Sequence, residues 1–296
     1  MKYRHFEPLS KHSSFKIGGP AQYFCEPSNS AEIREALFFA KQNKLPVAII
    51  GSGTNLLIPD NGFRGLVIKI SLKLKSIKIT GTKIEVDSGM AITCLITKLA
   101  QKGLGGIEFL AGIPGSIGGA VVMNAGAWGD EIGRYVENVT VVDQRGRELI
   151  ITQKELKFGY RKSLLQKQRF LVTKVTIKLF KKKPAAILSQ IKEYLKIRRS
   201  KHPLNFPNCG SVFKNPKSQK NSLPAGQLIE AAGCKGIRVG NAQVSTQHAN
   251  FIVNLGGATA KEVTALMKKV QATVWKRFKI KLEPEVKSMV EFFRGK

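Results

Sequence analysis

The sequence predicts an α+β protein: a two-lobed N-terminal part followed by a smaller C-terminal α+β domain. Three observations carry this. Period-two apolar patterning from 66 to 88, a hairpin at 135–152 and a β-branched strand at 169–180 follow one another without the strand–helix alternation of a doubly wound sheet. Two glycine-rich loops, Gly51–Leu57 and Glu108–Gly126, lie in the N-terminal half. The break Lys181-Lys182-Lys183-Pro184 then separates these elements from a helix and a coil rich in proline, asparagine and glycine. At 296 residues the chain exceeds ordinary single-domain size. We place the segments at 1–70 (first lobe), 71–183 (second lobe) and 184–296 (connecting helix and C-terminal domain).

Each element has a local cause. Ser28, Asn29 and Ser30 offer capping oxygens to a helix over 30–43, whose Ile33, Ala36, Leu37 and Ala40 share one face. Pro46–Ile50 reads as a buried strand running into Gly51-Ser52-Gly53. Ile77 and Ile79, a Thr80-Gly81-Thr82 turn, then Ile84 and Val86 form a hairpin. Ile92, Leu95, Ile96 and Leu99 mark an amphipathic helix over 92–102. In the stretch 108–126, glycines at 112, 115, 118, 119 and 126 fit neither helical nor strand periodicity, so a loop is expected. Tyr135–Val142 and Glu148–Thr152 flank the turn at 143–147, and Arg169–Phe180 is a strand. Beyond the break come a helix at 185–199, coil at 202–216, helices near 223–232 and 260–278, and a strand near 249–253. Thr259 and Glu262 form a capping box for the last helix. No repeat or low-complexity tract occurs.

Composition narrows the function classes. Hydrophobic residues make up 43% and charged residues 23%, as in an ordinary soluble protein. No apolar run of about 18 residues exists, and the N-terminus has no apolar signal core, so no membrane partner is expected. Cys25, Cys94, Cys209 and Cys234 form no Cys-x-x-Cys pair, which suits a reducing cytoplasm and argues against zinc. No histidine lies between 13 and 201, which excludes a histidine-based metal centre there. The net charge of +29 fits either a nucleic-acid-binding face or a basic surface with a pocket for small anions. The scattered lysines carry no aromatic-interleaved RNA-binding signature and no helix-turn-helix pattern, so no nucleic-acid partner is expected.

The glycine loops are the chemical lead. A glycine loop exposes unhindered backbone N–H groups of the kind that hold a pyrophosphate, although an isolated one is equally often a plain turn. Two in one domain favour a large phosphate-bearing cofactor. Gly51-Ser52-Gly53-Thr54-Asn55-Leu56 lacks the third glycine of the dinucleotide fingerprint, and no P-loop is present. The cofactor is held in another way.

Seven segments in order carry a resemblance: Phe15–Ala21, Gly51–Leu57, Gly112–Ala120, Asn124–Ala127, Phe158-Gly159-Tyr160-Arg161-x-Ser163, Gly210–Pro216 and Leu282–Val286. This series resembles the UDP-N-acetylenolpyruvoylglucosamine reductases, in their shorter, type II form. The resemblance implies a FAD-binding fold of the vanillyl-alcohol-oxidase type plus a C-terminal substrate domain. It also implies that NADPH reduces the flavin, which then converts UDP-N-acetylglucosamine enolpyruvate to UDP-N-acetylmuramate. Covalent FAD attachment through histidine is implausible given the histidine-free stretch, so dissociable FAD is expected.

By the same resemblance, Ser211 is the proton donor, with Arg161 and Glu285 stabilising the developing enediolate. A guanidinium suits a carboxylate. A carboxylate at Glu285 would repel a carbanion, so this residue must be protonated or act through a hydrogen bond to substrate or to Arg161. Taken singly, Ser211 could be a turn residue, Arg161 a surface arginine and Glu285 a lysine's partner; the ordered motifs favour the catalytic roles. For FAD we expect backbone donors from Gly51, Ser52, Gly53, Asn55, Gly115, Ser116, Gly118 and Gly119, with side chains from Thr54 and Asn124. Tyr160, Lys214, Asn215, Arg238 and Gln243 are candidates for the UDP-sugar. His202 and Lys287 depart from the residues common in relatives, and Cys209, two positions from Ser211, raises the expectation of thiol-reagent sensitivity.

Overall fold

Residues 4–69 build a first, four-stranded sheet from β1 (Arg4–Pro8), β2 (Pro20–Cys25), β3 (Val47–Ile50) and β5 (Phe63–Lys69), in the order β1-β2-β5-β3. In the computed structural model, residues 1–70, 76–168, 170–216 and 223–289 are described. The expected lobe boundary at 70/71 abuts 71–75, and Arg169, the expected start of a strand, also lies outside the described residues. Helix α1 (Ser30–Gln42) packs Ile33, Ala36, Leu37 and Ala40 against this sheet, and Asn29 caps it by accepting from the Glu32 N–H at 2.9 Å. A two-residue strand, β4 (Leu56–Leu57), follows the first glycine loop. Sequence patterning left β1 and β2 unread, because β1 is nowhere fully buried and carries no apolar alternation.

The second sheet has five antiparallel strands in the order β12 (Glu148–Thr152), β11 (Val136–Val142), β13 (Leu171–Lys178), β7 (Lys83–Asp87), β6 (Ile77–Thr80). The expected hairpin is β6 (Ile77–Thr80) with β7 (Lys83–Asp87), in register Ile77↔Val86 and Ile79↔Ile84. Helix α2 (Ile92–Gln101) and a short β8 (Leu104–Gly105) come next. The glycine stretch then departs from expectation: Ile117–Val122 is a helix, α3. Ser116 caps it, accepting from the Gly119 N–H at 3.3 Å. Its glycines obscured the helix because they answer to packing rather than propensity; a Cβ on Gly118 would stand 2.7 Å from Ser88 Cβ.

A small hairpin, β9 (Gly126–Ala127) with β10 (Asp130–Glu131), leads to β11 (Val136–Val142), β12 (Glu148–Thr152), α4 (Gln153–Leu156), β13 (Leu171–Lys178) and β14 (Phe180–Lys181). Leu95, Leu110, Val121, Val139 and Val175 are fully buried in the core between this sheet and its helices.

The C-terminal part comprises α5 (Pro184–Lys201), β15 (Asn208–Ser211), α6 (Ala225–Ala231), β16 (Arg238–Val239), β17 (Ala242–Val244), β18 (Phe251–Asn254), α7 (Ala260–Phe278) and β19 (Lys287–Ser288). Its sheet runs β15-β18-β17-β16. The capping box on α7 forms as expected, and Asp60 of the first lobe adds a second cap through its two carboxylate oxygens, at 2.7 Å from the Ala260 N–H and 3.0 Å from that of Lys261. Phe15, Ile17 and Leu57 of the first lobe are buried in the C-terminal core, alongside Val212, Phe213, Leu228 and Leu266. β19 pairs in parallel with β4, which places residues 285–288 beside the first glycine loop.

Candidate active site

The two glycine loops face each other across a cavity of about 2110 Å³. β3 delivers the first loop. Gly53 needs its φ of +66° there, and a side chain on it would overlap the carbonyl of His12. The second loop is pinned by the Ile92 N–H donating to Gly115 O at 3.0 Å and the Gly118 N–H donating to Ser88 O at 2.9 Å. Thr54 Oγ1 donates to Pro114 O at 3.2 Å and ties one loop to the other. Gly51, Ser52, Gly53, Thr54, Asn55, Gly115, Ser116, Gly118 and Gly119 all line the cavity. The N–H groups of Ser52, Gly53 and Thr54 meet no backbone acceptor among the described residues. A row of unengaged donors between two glycine walls fits a pyrophosphate-bearing cofactor.

Asn124 is placed differently. It is fully buried, off the cavity wall, and both ends of its amide are engaged: Oδ1 accepts from the Gly133 N–H and Nδ2 donates to Gly159 O, each at 2.9 Å.

The three expected catalytic residues converge on the same cavity from three parts of the chain. Arg161 comes from a tight turn closed by reciprocal Gly159–Lys162 bonds, with φ at +53°. Its Nε donates to Glu285 Oε1 at 2.5 Å. Glu285 is fixed by its own N–H donating to Val212 O at 2.8 Å, beside Ser211 at the end of β15. Burial pushes the Glu285 carboxyl above its ordinary range, while the charges of Arg161, Lys214 and Lys287 pull the other way. Of the two options for Glu285, the hydrogen bond to Arg161 is the one the structure displays.

Tyr160 and Asn215 also reach the cavity, and the Asn215 N–H donates to Tyr160 Oη at 3.2 Å. Lys214, Arg238 and Gln243 do not line it. Lys214 Nζ lies 3.4 Å from Glu283 Oε2. Arg238 and Gln243 are cross-strand neighbours on β16 and β17, and Gln243 Nε2 donates to Gly236 O at 3.1 Å. No group of His, Cys, Asp or Glu able to hold a metal occurs among the described residues.

Comparison with known proteins decides the family. The model of the UDP-N-acetylenolpyruvoylglucosamine reductase C-terminal domain matches residues 202–289, and an FAD binding domain model matches 21–152. UDP-N-acetylenolpyruvoylglucosamine reductase 2 of Symbiobacterium thermophilum is 43% identical over 97% of this chain and 92% of its own. The reductase of Clostridium botulinum is 41% identical over 96% of this chain and 92% of its own. The chain belongs to the UDP-N-acetylenolpyruvoylglucosamine reductase family. The crystal structure of the Thermus caldophilus reductase, 33% identical, superposes with a TM-score of 0.81 over 97% of this chain and 98% of that one. The architecture is therefore an FAD-binding fold of the vanillyl-alcohol-oxidase type joined to the reductase C-terminal domain.

Within this reductase fold, further wall residues escaped the sequence reading as site groups. Arg198 lines the cavity with its guanidinium over the Trp128 ring, and its buried Nε has no hydrogen-bond partner among the described residues. Its place in a run of basic residues hid it. His202 packs against His248 and Phe251, and burial pushes its imidazole down to about 4, with Arg198 and His248 adding to the effect. Lys287 also lines the cavity and is pulled down by burial. Gln166 lines it too, and nothing in its sequence surroundings marked it. Cys209 is buried and its thiol is pushed up to about 12, so the expected thiol-reagent sensitivity finds no support at this position.

Proposed function

We infer that the protein is an FAD-dependent reductase that uses NADPH to convert UDP-N-acetylglucosamine enolpyruvate to UDP-N-acetylmuramate, a step in making peptidoglycan precursors. The observation that carries this reading is the convergence of Arg161, Glu285 and Ser211 on a cavity walled by two glycine loops. The loops of 51–55 and 115–119 would hold the cofactor non-covalently, although the Gly118 and Gly119 N–H groups, expected as donors, are already spent on Ser88 O and Ser116 Oγ; Thr54 adds the bond between the loops, and Asn124 supports from behind.

A bound flavin supplies a two-electron hydride relay, so that NADPH is oxidised and the vinyl group reduced. The chain's own residues handle charge and the proton. Hydride arrival at the terminal vinyl carbon leaves an electron pair on the neighbouring carbon, delocalised into the carboxylate. Arg161, oriented by Glu285, meets that charge with a fixed guanidinium. The Ser211 hydroxyl gives its proton to the carbon and recovers one from solvent, so the reaction consumes one hydride and one proton. Tyr160 and Asn215 border the same space and suit the sugar nucleotide, whereas Lys214, Arg238 and Gln243 lie off the cavity wall.

Purified protein tests the reading directly. Flavin absorbance should be present, should bleach anaerobically with NADPH, and should return on adding the enolpyruvyl sugar nucleotide. Bleaching with no substrate-dependent return rejects the substrate assignment, and protein unable to bind FAD rejects the class.

A further inference from the structure

We propose that Gln166 is a positioning residue for Arg161, clamping the backbone of the catalytic turn to the C-terminal end of α3. This rests on the functional reading above and deepens it. Arg161 lies in the left-handed region at φ +53°, where a bulky L-residue is strained. Such a conformation persists only where its surroundings over-determine it, and here they do.

Gln166 Nε2 donates to Arg161 O at 3.1 Å and to Val122 O at 2.9 Å. Ser163 Oγ donates to the same Val122 O at 2.6 Å. Asn124 Nδ2 holds Gly159 O at 2.9 Å from the other end of the turn. Both amide hydrogens of Gln166 are thus spent on main-chain carbonyls, and none remains to donate to a ligand although the residue borders the cavity. The turn bearing Tyr160 and Arg161 is hung from Val122 and Asn124, at the end of α3. The start of the same helix is the Ser116–Gly119 wall of the cavity. One short helix therefore relates the position of the guanidinium to that of the cofactor wall.

The consequence is geometric. At the ordinary φ of about −60 to −140°, the Arg161 side chain would leave its backbone in a different direction and lose its contact with Glu285. Gln166 prevents this without touching a reacting atom.

Two variants test the assignment. Gln166→Met keeps the size and removes both donors; Gln166→Glu keeps an acceptor oxygen but faces two carbonyls with a carboxylate. Both are expected to retain FAD and the rate of flavin bleaching by NADPH. Both are expected to lose on the order of 10²-fold in the maximal rate of substrate-driven flavin reoxidation, with KM nearly unchanged. An unchanged maximal rate overturns the proposal. So does a raised KM at unchanged rate, which is the signature of direct substrate contact, and so does a parallel loss of FAD and of both half-reactions. Should the wild-type protein show no substrate-driven reoxidation, the functional reading fails, and the clamp is judged by the crystal structure of Gln166→Met. Arg161 leaving the left-handed region and parting from Glu285 supports it; an unmoved turn overturns it.

Discussion

A serine hydroxyl is a weak acid, so Ser211 can protonate carbon only where hydride transfer has already made that carbon strongly basic. Ser211→Ala should therefore leave NADPH bleaching of the flavin intact and lower substrate turnover by at least ~10²-fold. Undiminished turnover in a stopped-flow measurement would remove Ser211 from the chemistry. His202 offers a second test. Its imidazole is pushed from 6.5 down to about 4, so between those values the unfolded chain binds more protons than the native one. Stability from this residue is complete above 6.5 and is lost as pH falls toward 4. Melting temperature measured against pH should fall less steeply across that window in His202→Gln than in the parent. Arg161, Ser211 and Glu285 stand out only through the ordered series of seven motifs, none of them singly, and the structure brings all three to one cavity. Arg238 and Gln243 were drawn toward the sugar nucleotide by side-chain type and by their place in the C-terminal domain; the structure sets them opposite each other on a hairpin, off the cavity wall.

Among the elements, α3 sets propensity against packing. Gly118→Ala would gain about 1 kcal/mol of helix propensity. The new methyl would stand 2.7 Å from Ser88 Cβ and 3.1 Å from Ser88 O, and overpacking of this kind costs roughly 1–3 kcal/mol. Packing should win, giving a lower urea midpoint and weaker FAD retention; a stabilised variant would show that the Ser88 segment yields freely. α7 gives a second case. Asp60 adds two charge-assisted bonds to a helix start that already has a capping box, so Asp60→Ala should cost about 1–2 kcal/mol in urea unfolding. The capping box was legible because its partners lie three residues apart. Asp60 was not, since it lies 200 positions from Ala260. The same contrast holds for strands: the hairpin at 77–87 is local and readable, whereas β2 pairs in parallel with the distant β5.

At the scale of the whole molecule, the first lobe and the C-terminal domain share one core. Phe15 and Ile17 are buried among Val212, Phe213 and Leu228. Phe15→Ala should cost about 3–5 kcal/mol and shift the melting of both parts together. Two separated calorimetric transitions, only one of them displaced, would contradict this. The break at 181–184 was readable as a change of composition, but the shared core was not, because it joins residues about two hundred positions apart. The pairing of β19 with β4 has a consequence for synthesis. Lys287 N–H donates to Asn55 O at 3.0 Å, and Asn55 Nδ2 lies 3.4 Å from Glu285 O, a separation of 230 residues. On the ribosome the glycine loops emerge long before the segment that carries Glu285. A nascent chain can shape its cofactor walls early, yet it stays inert until that late strand docks beside the first loop. Bringing Arg161, Ser211 and Glu285 together is thereby delayed until residues 285–288 have been made.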